Sequence, residues 1–192
     1  MADKVKVLLV EDDTDFAYLT TKEIGKSESL EFVAYAENKY TGIELAKKYQ
    51  PDIVLMDLQL SKNELDGIET AKTIKLATNA KILLLTSIED FNTIINASKK
   101  SFASGYIFKS QSQTLNEIIQ QTALSHTPQE QFIKELILSD LSEAERSVFD
   151  MIFGKDTIVK SSDKTIANQK TNIFKKLGLK STQDIIHIFR NW

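Results

Sequence analysis

The 192-residue sequence contains no cysteine and only two prolines. Without cysteine the chain can form neither a disulfide framework nor a thiolate metal site, and nothing in it argues for an oxidising compartment. No apolar run approaches the roughly 20 residues that a membrane-spanning helix needs. The N-terminus leads directly into a short strand pattern without the architecture of a signal peptide. We therefore expect a cytoplasmic protein that has no membrane partner.

The formal net charge of −3 is unevenly distributed along the chain. Residues 1–127 hold 14 Lys and Arg against 18 Asp and Glu, whereas residues 128–192 hold 10 against 9. Within the second part, the stretch from Lys164 to Lys180 has five lysines and no acid. A nearly neutral total therefore conceals a basic patch.

The first 125 residues alternate short apolar runs with segments of helical spacing. The apolar runs predict five strands: Val5–Val10, Leu30–Ala36, Ile53–Leu58, Lys81–Thr86 and Tyr106–Phe108. The segments between and after them predict five helices: Thr14–Gly25, Tyr40–Tyr49, Ile68–Leu76, Phe91–Lys100 and Leu115–Leu124. Strands that alternate with helices indicate right-handed crossovers and a parallel sheet covered on both faces. The predicted fold is α/β and doubly wound, with the flavodoxin-like strand order 2-1-3-4-5 as the natural candidate.

The alternation of strands and helices ends at a polar segment, Ser125 to Gln129, that contains Pro128. We predict a domain over residues 1–125, a linker and connector helix over 126–140, and a small all-α domain over 141–192. The helices predicted after the linker are Gln129–Leu138, Ser142–Gly154, Lys164–Leu177 and Ser181–Arg190.

Polar side chains follow four of the predicted strands, where each strand ends. In a parallel sheet these ends share one edge, which is where open α/β sheets bind ligands. Taken singly, each group is more commonly a solvated loop, capping or surface residue. Taken together they predict one crevice, formed by Glu11 and Asp12 after the first strand, Asp57 after the third, Thr86 at the end of the fourth, and Lys109 after the fifth.

The chemistry of these groups points to phosphate. Three clustered carboxylates repel one another, and ligands that are all oxygen suit Mg²⁺. A carboxylate can attack phosphorus and form an acyl phosphate. The phosphoryl oxygens then need neutralising, by Mg²⁺ on one side and by Lys109 on the other. Thr86 can add a hydrogen bond to a phosphoryl oxygen. We therefore predict that Asp57 is a phosphate acceptor.

Four segments together resemble the receiver domain of a bacterial two-component response regulator over about residues 4–125. They are Leu8–Asp12, Pro51–Asp57, Leu85–Thr86 and Gly105–Lys109. The resemblance implies that Asp57 accepts phosphate from a histidine kinase. The loop Leu60–Leu65 departs from the pattern, because it is longer and lacks the proline that such domains often carry about four residues after the acceptor.

The receiver resemblance also implies roles for the surrounding residues. Glu11 and Asp12 would hold Mg²⁺ together with Asp57, and the main-chain carbonyl of Gln59 would be a further ligand. Lys109 would contact the phosphate. Thr86 would move toward the phosphoryl group, and Tyr106 would swing inward behind Thr86. These two residues would then switch between two arrangements, and phosphorylation would favour one of them.

Residues 141–189 resemble a LuxR-type helix-turn-helix domain, through Leu141–Arg146, Lys164–Lys170 and Asn172–Gly178. The resemblance implies that Lys164–Leu177 is the recognition helix. The residues implied to face DNA are Lys164, Asn168, Lys170 and Lys175. The implied dimerisation residues of the last helix are Ile185, Ile186 and Phe189.

The C-terminal segment is shorter than that family's pattern. Only nine residues, Lys155 to Asp163, lie between Gly154 and Lys164. The part Asp156–Ser162 can form at most about one turn of helix, where such domains fit the complete helix that crosses the DNA backbone.

Two functions remain open on the sequence alone. The first is a transcription factor in which phosphorylation controls binding to duplex DNA, as a homodimer formed through the last helix or the receiver face. The second is a response regulator whose shortened C-terminal domain binds protein instead. We do not expect an enzyme, because no nucleophile–base pair stands out and both His126 and His187 lie away from the acidic crevice.

Overall fold

The structure is a computed structural model that describes residues 3–60, 66–155, 162–190 and 192. The chain forms two compact units, Met1–Ile133 and Lys134–Trp192. Residues 61–65 of the predicted loop Leu60–Leu65 lie outside the described residues. Residues 156–161, where at most one helical turn is predicted, also lie outside them.

The first unit contains a five-stranded parallel sheet. Its strands are β1 (Val5–Val10), β2 (Leu30–Ala36), β3 (Ile53–Asp57), β4 (Lys81–Thr86) and β5 (Gly105–Phe108). The strand order is β2-β1-β3-β4-β5. The structure therefore confirms the predicted doubly wound, flavodoxin-like fold with additional C-terminal helices.

Apolar side chains on both faces of the sheet hold it in place. Leu8, Val10, Val54 and Met56 belong to the core on one face. Their chain neighbours Val7, Leu9, Ile53 and Leu55 belong to the core on the other face. Successive side chains of a strand point to opposite faces, so β1 and β3 are apolar except at the exposed Lys6 near the start of β1 and at Asp57, which ends β3. Their register is thereby fixed, and both strands end at the same edge.

Five helices cover the sheet, and the ends of three of them follow from capping side chains. They are α1 (Thr14–Ile24), α2 (Lys39–Tyr49), α3 (Asp66–Ala77), α4 (Phe91–Ser101) and α5 (Leu115–Leu124), with a short 3-10 helix, Lys109–Thr114, before α5. Asp13, Asn38 and Asp90 accept backbone N–H groups at the starts of α1, α2 and α4. The predicted boundaries differ from these by at most two residues.

Helix α6 (Pro128–Leu138) begins against the N-terminal ends of β4 and β5. The buried Glu130 carboxylate lies 3.1 Å from Lys81 Nζ and 3.3 Å from His126 Nδ1. Gln129 Oε1 accepts a hydrogen bond of 3.2 Å from the backbone N–H of Tyr106. A Cβ at Gly105 would lie only 2.4 Å from that Gln129 oxygen. A glycine at position 105 therefore allows the first turn of α6 to approach β5.

The Lys81–Glu130 pair gives a stability prediction. Lys81→Met leaves a carboxylate that is 1% exposed without its main cation. Removal of one partner of a buried pair costs roughly 3–5 kcal/mol, and we expect a loss near the lower end because Lys81 itself is partly exposed. Hydrogen exchange of the β4 and β5 amides measures this loss in the first unit.

Lys26→Met is the matched control, because Lys26 pairs with Glu23 at 2.5 Å but its side chain is 69% exposed. An exposed pair contributes about 0–1 kcal/mol. Equal effects of the two substitutions would contradict a structural role for the Lys81–Glu130 pair.

The second unit is helical over its described residues. It contains α7 (Glu143–Ile152), α8 (Asp163–Leu177) and α9 (Thr182–Phe189). Ser142 and Glu145 form a capping box at the start of α7, and α8 ends at Gly178 in a left-handed conformation with φ of 63°. Among the residues that the structure describes, no helix is long and apolar enough to cross a membrane.

Two of the three residues implied for dimerisation on the last helix are buried, and dimerisation through that helix stays a prediction. Ile185 is 0% exposed and Phe189 is 4% exposed in the chain. The Phe189 ring packs edge-on against Phe149 at 5.1 Å and stacks on Trp192 at 5.2 Å. The apolar face of α9 is therefore used by the core of its own unit, and Ile186 is the one member of the trio that is only half-buried.

Candidate functional site

Three carboxylates meet at the C-terminal edge of the sheet. Glu11 and Asp12 follow β1, and Asp57 ends the neighbouring strand β3. One oxygen from each of the three lies within 4.8 Å of the other two. The pairing of Val10 with Met56 places the next residues, Glu11 and Asp57, side by side. Glu11 and Asp57 are buried, whereas Asp12 is exposed.

Lys109 reaches the same cluster from the end of β5. Its Nζ lies 2.8 Å from the Glu11 carboxylate and 3.2 Å from Asp57 Oδ2. The lysine side chain is 18% exposed, so the ammonium group is largely shielded from water. The structure therefore brings Glu11, Asp12, Asp57 and Lys109 together, as the sequence predicts.

The electrostatics of the cluster follow from burial and an excess of negative charge. Burial raises the pKa of Glu11 to about 7, although the hydrogen bond from Lys109 opposes the rise, and the charge of Asp57 adds to it. Burial alone would lower the pKa of Lys109, but its contacts with Glu11 and Asp57 outweigh that effect and raise it.

The donor set fits a hard divalent cation. Three carboxylates face one ammonium group, and their donor atoms are all oxygen, the ligand type that Mg²⁺ prefers. The raised pKa of Glu11 means that a proton and a cation compete for its carboxylate.

Asp57 is held by backbone as well as by Lys109. Its Oδ1 accepts the N–H of Gln59 at 3.2 Å. The Gln59 carbonyl as a metal ligand stays a prediction. Gly67, in the first turn of α3, donates its N–H to Leu58 O at 3.3 Å. A Cβ at Gly67 would lie 2.0 Å from the Asp57 carbonyl oxygen. Sequence reasoning missed Gly67, whose only signal is its place just after Asp66 at the predicted helix start.

Thr86 and Tyr106 lie on the adjacent strands β4 and β5. Thr86 is buried, and its hydroxyl oxygen accepts the N–H of Ile88 at 2.9 Å. The hydroxyl hydrogen can still be donated to another acceptor. Tyr106 is half-buried, and its ring meets the Phe108 ring edge-on at 5.7 Å. The inward movement of these residues stays a prediction.

The predicted DNA-facing residues divide between two sides of α8. Lys164, Asn168 and Lys175 are exposed, and their spacing places them with exposed Thr171 along one face. Lys170 is half-buried and lies on the flank toward the buried Ile173 and Leu177.

Lys176, another member of the lysine run, also points away from that exposed face. Its Nζ lies 2.6 Å from the buried carboxylate of Glu145. The exposed face of α8 therefore carries fewer lysines than the sequence count suggests. That face also includes Thr171, which sequence reasoning missed.

Comparison with known proteins identifies the family of the first unit. The response regulator receiver domain model matches residues 7–121. The transcriptional regulatory protein YdfI of Bacillus subtilis is 28% identical over 209 residues, covering 95% of this chain and 94% of that protein. A nitrate/nitrite response regulator homologue of Haemophilus influenzae is 30% identical and covers 74% of this chain and 68% of its own length. The match to DegU of Brevibacillus brevis, at 31% identity, spans 56% of this chain but only 44% of DegU.

Solved structures agree with this placement. A LuxR-family response regulator from Aurantimonas is similar at a TM-score of 0.60 and 25% identity, over 72% of this chain and 98% of that structure. RcsB of Salmonella typhimurium has a TM-score of 0.56 over 98% of both chains, and its 20% identity supports the fold alone. The receiver model matches the chain from within β1 to within α5. The matched residues include the cluster in which Asp57 meets two further acids and a lysine, and the chain belongs to the response regulator receiver family.

Proposed function

We propose that this protein is a response regulator of two-component signalling in which Asp57 is phosphorylated by a histidine kinase and thereby controls the C-terminal unit. The observation that carries the proposal is the position of the Asp57 carboxylate, between the acids Glu11 and Asp12 and the ammonium group of Lys109. With a divalent cation held by the acids on one side and the ammonium of Lys109 on the other, this carboxylate would be suited to accept a group that brings negatively charged oxygens with it.

The proposed reaction is nucleophilic attack by an Asp57 carboxylate oxygen on phosphorus. The new oxygen–phosphorus bond makes an acyl phosphate, and the bond from phosphorus to the donor breaks, so that its electron pair leaves with the donor. Glu11, Asp12 and Asp57 would hold Mg²⁺, with the Gln59 carbonyl as the predicted further ligand, and the bound ion would neutralise phosphoryl charge.

The residues of this chain supply orientation and charge for that reaction. The Gln59 N–H fixes one oxygen of Asp57, and Lys109 stands beside the other. Lys109 would neutralise a phosphoryl oxygen, because its ammonium already lies 3.2 Å from Asp57 Oδ2. The Thr86 hydroxyl hydrogen is the further donor that a phosphoryl oxygen would recruit.

The proposed output is binding to duplex DNA and regulation of transcription. The exposed face of α8 supports it, since Lys164 and Lys175 would contact phosphates while Asn168 would reach a base edge. The relative YdfI, aligned over nearly the whole chain, is named a transcriptional regulatory protein.

A second output, binding to a protein partner, rests on the nine residues between Gly154 and Lys164. Helix α7 ends at Ile152 and α8 begins at Asp163. The intervening stretch is short for the helix that crosses the DNA backbone in helix-turn-helix proteins.

Binding of the full chain to duplex DNA across a salt series decides between the two outputs. With an acyl-phosphate mimic bound, we expect the logarithm of affinity to fall linearly with the logarithm of salt concentration, with several counterions released. Lys175→Met should reduce the magnitude of that slope by about 1. No binding at low salt, with or without the mimic, would favour the protein-binding output.

Lys176→Met is the matched control for Lys175→Met. It removes the same charge from the neighbouring position, but Lys176 is paired with Glu145 rather than presented on the exposed face. Its salt slope should stay that of the unaltered protein. If both substitutions reduced the slope equally, overall charge would account for binding and the assigned face would be wrong.

A further inference from the structure

The aromatic ring of Phe16 lies against the ammonium group of Lys109. Lys109 Nζ is 4.7 Å from the centre of that ring. The same nitrogen contacts the carboxylates of Glu11 and Asp57. The ammonium is thus held between two acids and an aromatic face, and the aromatic contact plays no part in the function proposed above.

The start of α1 fixes the position of Phe16. Asp13 caps the helix, and its carboxylate accepts the N–H groups of Asp15 at 2.9 Å and Phe16 at 3.0 Å. The Phe16 side chain is half-buried and packs against the core on that face of the sheet. In contrast, Tyr18 and Leu19 on the same helix are largely exposed. The ring is therefore held beside the acidic cluster by the helix cap and by the core.

An aromatic face attracts a cation electrostatically. Unlike a carboxylate, it does not take up an N–H donor of the ammonium in a conventional hydrogen bond. The negative face of the ring favours the ammonium, and the attraction grows when water is excluded. The three N–H donors of Lys109 remain available for oxygen atoms. A third carboxylate at the place of the ring would instead compete with a phosphoryl group for those donors. The ring can therefore keep the ammonium in place while its hydrogen-bond partners change.

We propose that Phe16 is a positioning residue that holds Lys109 toward the phosphoryl oxygens on Asp57. The inference rests on the proposed function and adds to it a residue that reaches the phosphoryl group only through Lys109. Loss of the aromatic face should lower the rate at which Asp57 is loaded with phosphate. The expected decrease is about 2- to 30-fold, the range to which cation–π energies convert.

The test uses the full chain, with acetyl phosphate and Mg²⁺, and follows the mass of the intact protein over time. Phe16→Leu removes the ring and keeps most of the apolar volume, whereas Phe16→Tyr keeps an aromatic face. Tyr18→Leu is the matched control, because it removes a ring from the same helix whose cation, Lys22 Nζ at 4.6 Å, lies outside the cluster. Each variant is also made in a Lys109→Met background.

Phe16→Leu should slow loading, while Phe16→Tyr and Tyr18→Leu load at nearly the unaltered rate. In the Lys109→Met background, Phe16→Leu should cause no further decrease, because the ring would then have no ammonium to hold. If Lys109→Met loads too slowly to be timed, the comparison of Phe16→Leu with Phe16→Tyr decides.

Equal slowing by Phe16→Leu in both backgrounds, or by Phe16→Leu and Phe16→Tyr alike, would overturn the positioning role. It would leave Asp57 as the acceptor. A wild-type chain that takes up no phosphate would instead refute the proposed function, and the positioning role with it. The two failures are therefore distinguishable.

Discussion

Replacing Asp57 with asparagine is expected to abolish phosphate incorporation and to leave the fold intact. The amide has nearly the shape of the carboxylate, and its oxygen can still accept the N–H of Gln59. It is not a nucleophile toward phosphorus, however, so no acyl phosphate forms. The substitution also removes one of three mutually repelling carboxylates, and Asp57 contributes to the raised pKa of Glu11. We therefore expect the variant to lose phosphate incorporation without losing stability.

Mass measurement of the intact chain after incubation with acetyl phosphate and Mg²⁺ checks this expectation. Asp52→Asn is the matched control, because Asp52 is an exposed aspartate five residues earlier whose carboxylate accepts the Lys6 N–H at 2.7 Å. That variant should be labelled like the unaltered protein. Labelling that survives Asp57→Asn would refute the acceptor assignment, and the exposed Asp12 would then be the next residue to substitute.

The convergence on Asp57 is the part of the site that sequence reasoning could reach. Strands buried on both faces are apolar at nearly every position. Apart from a lysine near the starts of β1 and β4, the strands β1, β3 and β4 therefore stand out as apolar runs that lead into polar groups. Because the C-terminal ends of parallel strands lie at one edge of the sheet, the sequence alone predicts that Glu11, Asp57 and Lys109 lie close together. The start of α3 was harder to locate, since apolar spacing begins only at Ile68 and the first turn, Asp66 and Gly67, resembles a loop.

Contacts between elements distant in sequence could not be predicted in this way. The ring of Phe16 reaches Lys109 across 93 positions of the chain, through the packing of α1 beside the end of β5. Periodicity alone marks Phe16 only as an apolar residue on the inner side of a helix. The contact of the ring with the Lys109 ammonium is evident only from the folded structure.

The C-terminal unit shows why a sequence pattern alone does not say which surface of a helix is exposed. An apolar stripe on a short helix can be covered by its own domain or by a second chain, and the sequence pattern is the same in both cases. Phe189 packs against Phe149 and Trp192 of its own unit, and Ile185 is fully buried. For α8, the resemblance to LuxR-type domains grouped Lys170 with Lys164 and Lys175, although a helical repeat of 3.6 residues places Lys170 on another side of the helix. Helical geometry applied to the sequence could have made that second distinction.

Gly67→Ala is expected to damage both the stability of the first unit and the loading of Asp57. The added methyl group would lie 2.0 Å from the Asp57 carbonyl oxygen, 2.8 Å from Leu58 Cα and 2.9 Å from Leu58 O. All three are backbone atoms, so no side-chain rotation can relieve the clash. Overpacking of this kind costs about 1–3 kcal/mol and occasionally more. We expect the upper end of that range, because α3 must move away from the end of β3.

Gly25→Ala is the control that separates this clash from the general effect of replacing a glycine. Gly25 ends α1 with a φ of −63°, and a Cβ there would meet Thr21 O at 3.4 Å and Lys22 O at 3.6 Å, which are ordinary contacts. Reduced freedom of the unfolded chain should make that variant equally stable or more stable by about 0.4–1 kcal/mol.

Two measurements on the glycine variants separate stability from geometry. Hydrogen exchange in β3 reports stability, and the rate of phosphate loading reports the geometry at Asp57. Movement of α3 displaces the backbone of Asp57 itself, so loading by Gly67→Ala should stay slow even at a temperature low enough to keep the variant folded. Recovery of the normal loading rate under those conditions would mean that Gly67 matters for folding alone. A Gly67→Ala variant that is as stable as Gly25→Ala and loads at the same rate would contradict the close approach of α3 to the acceptor strand.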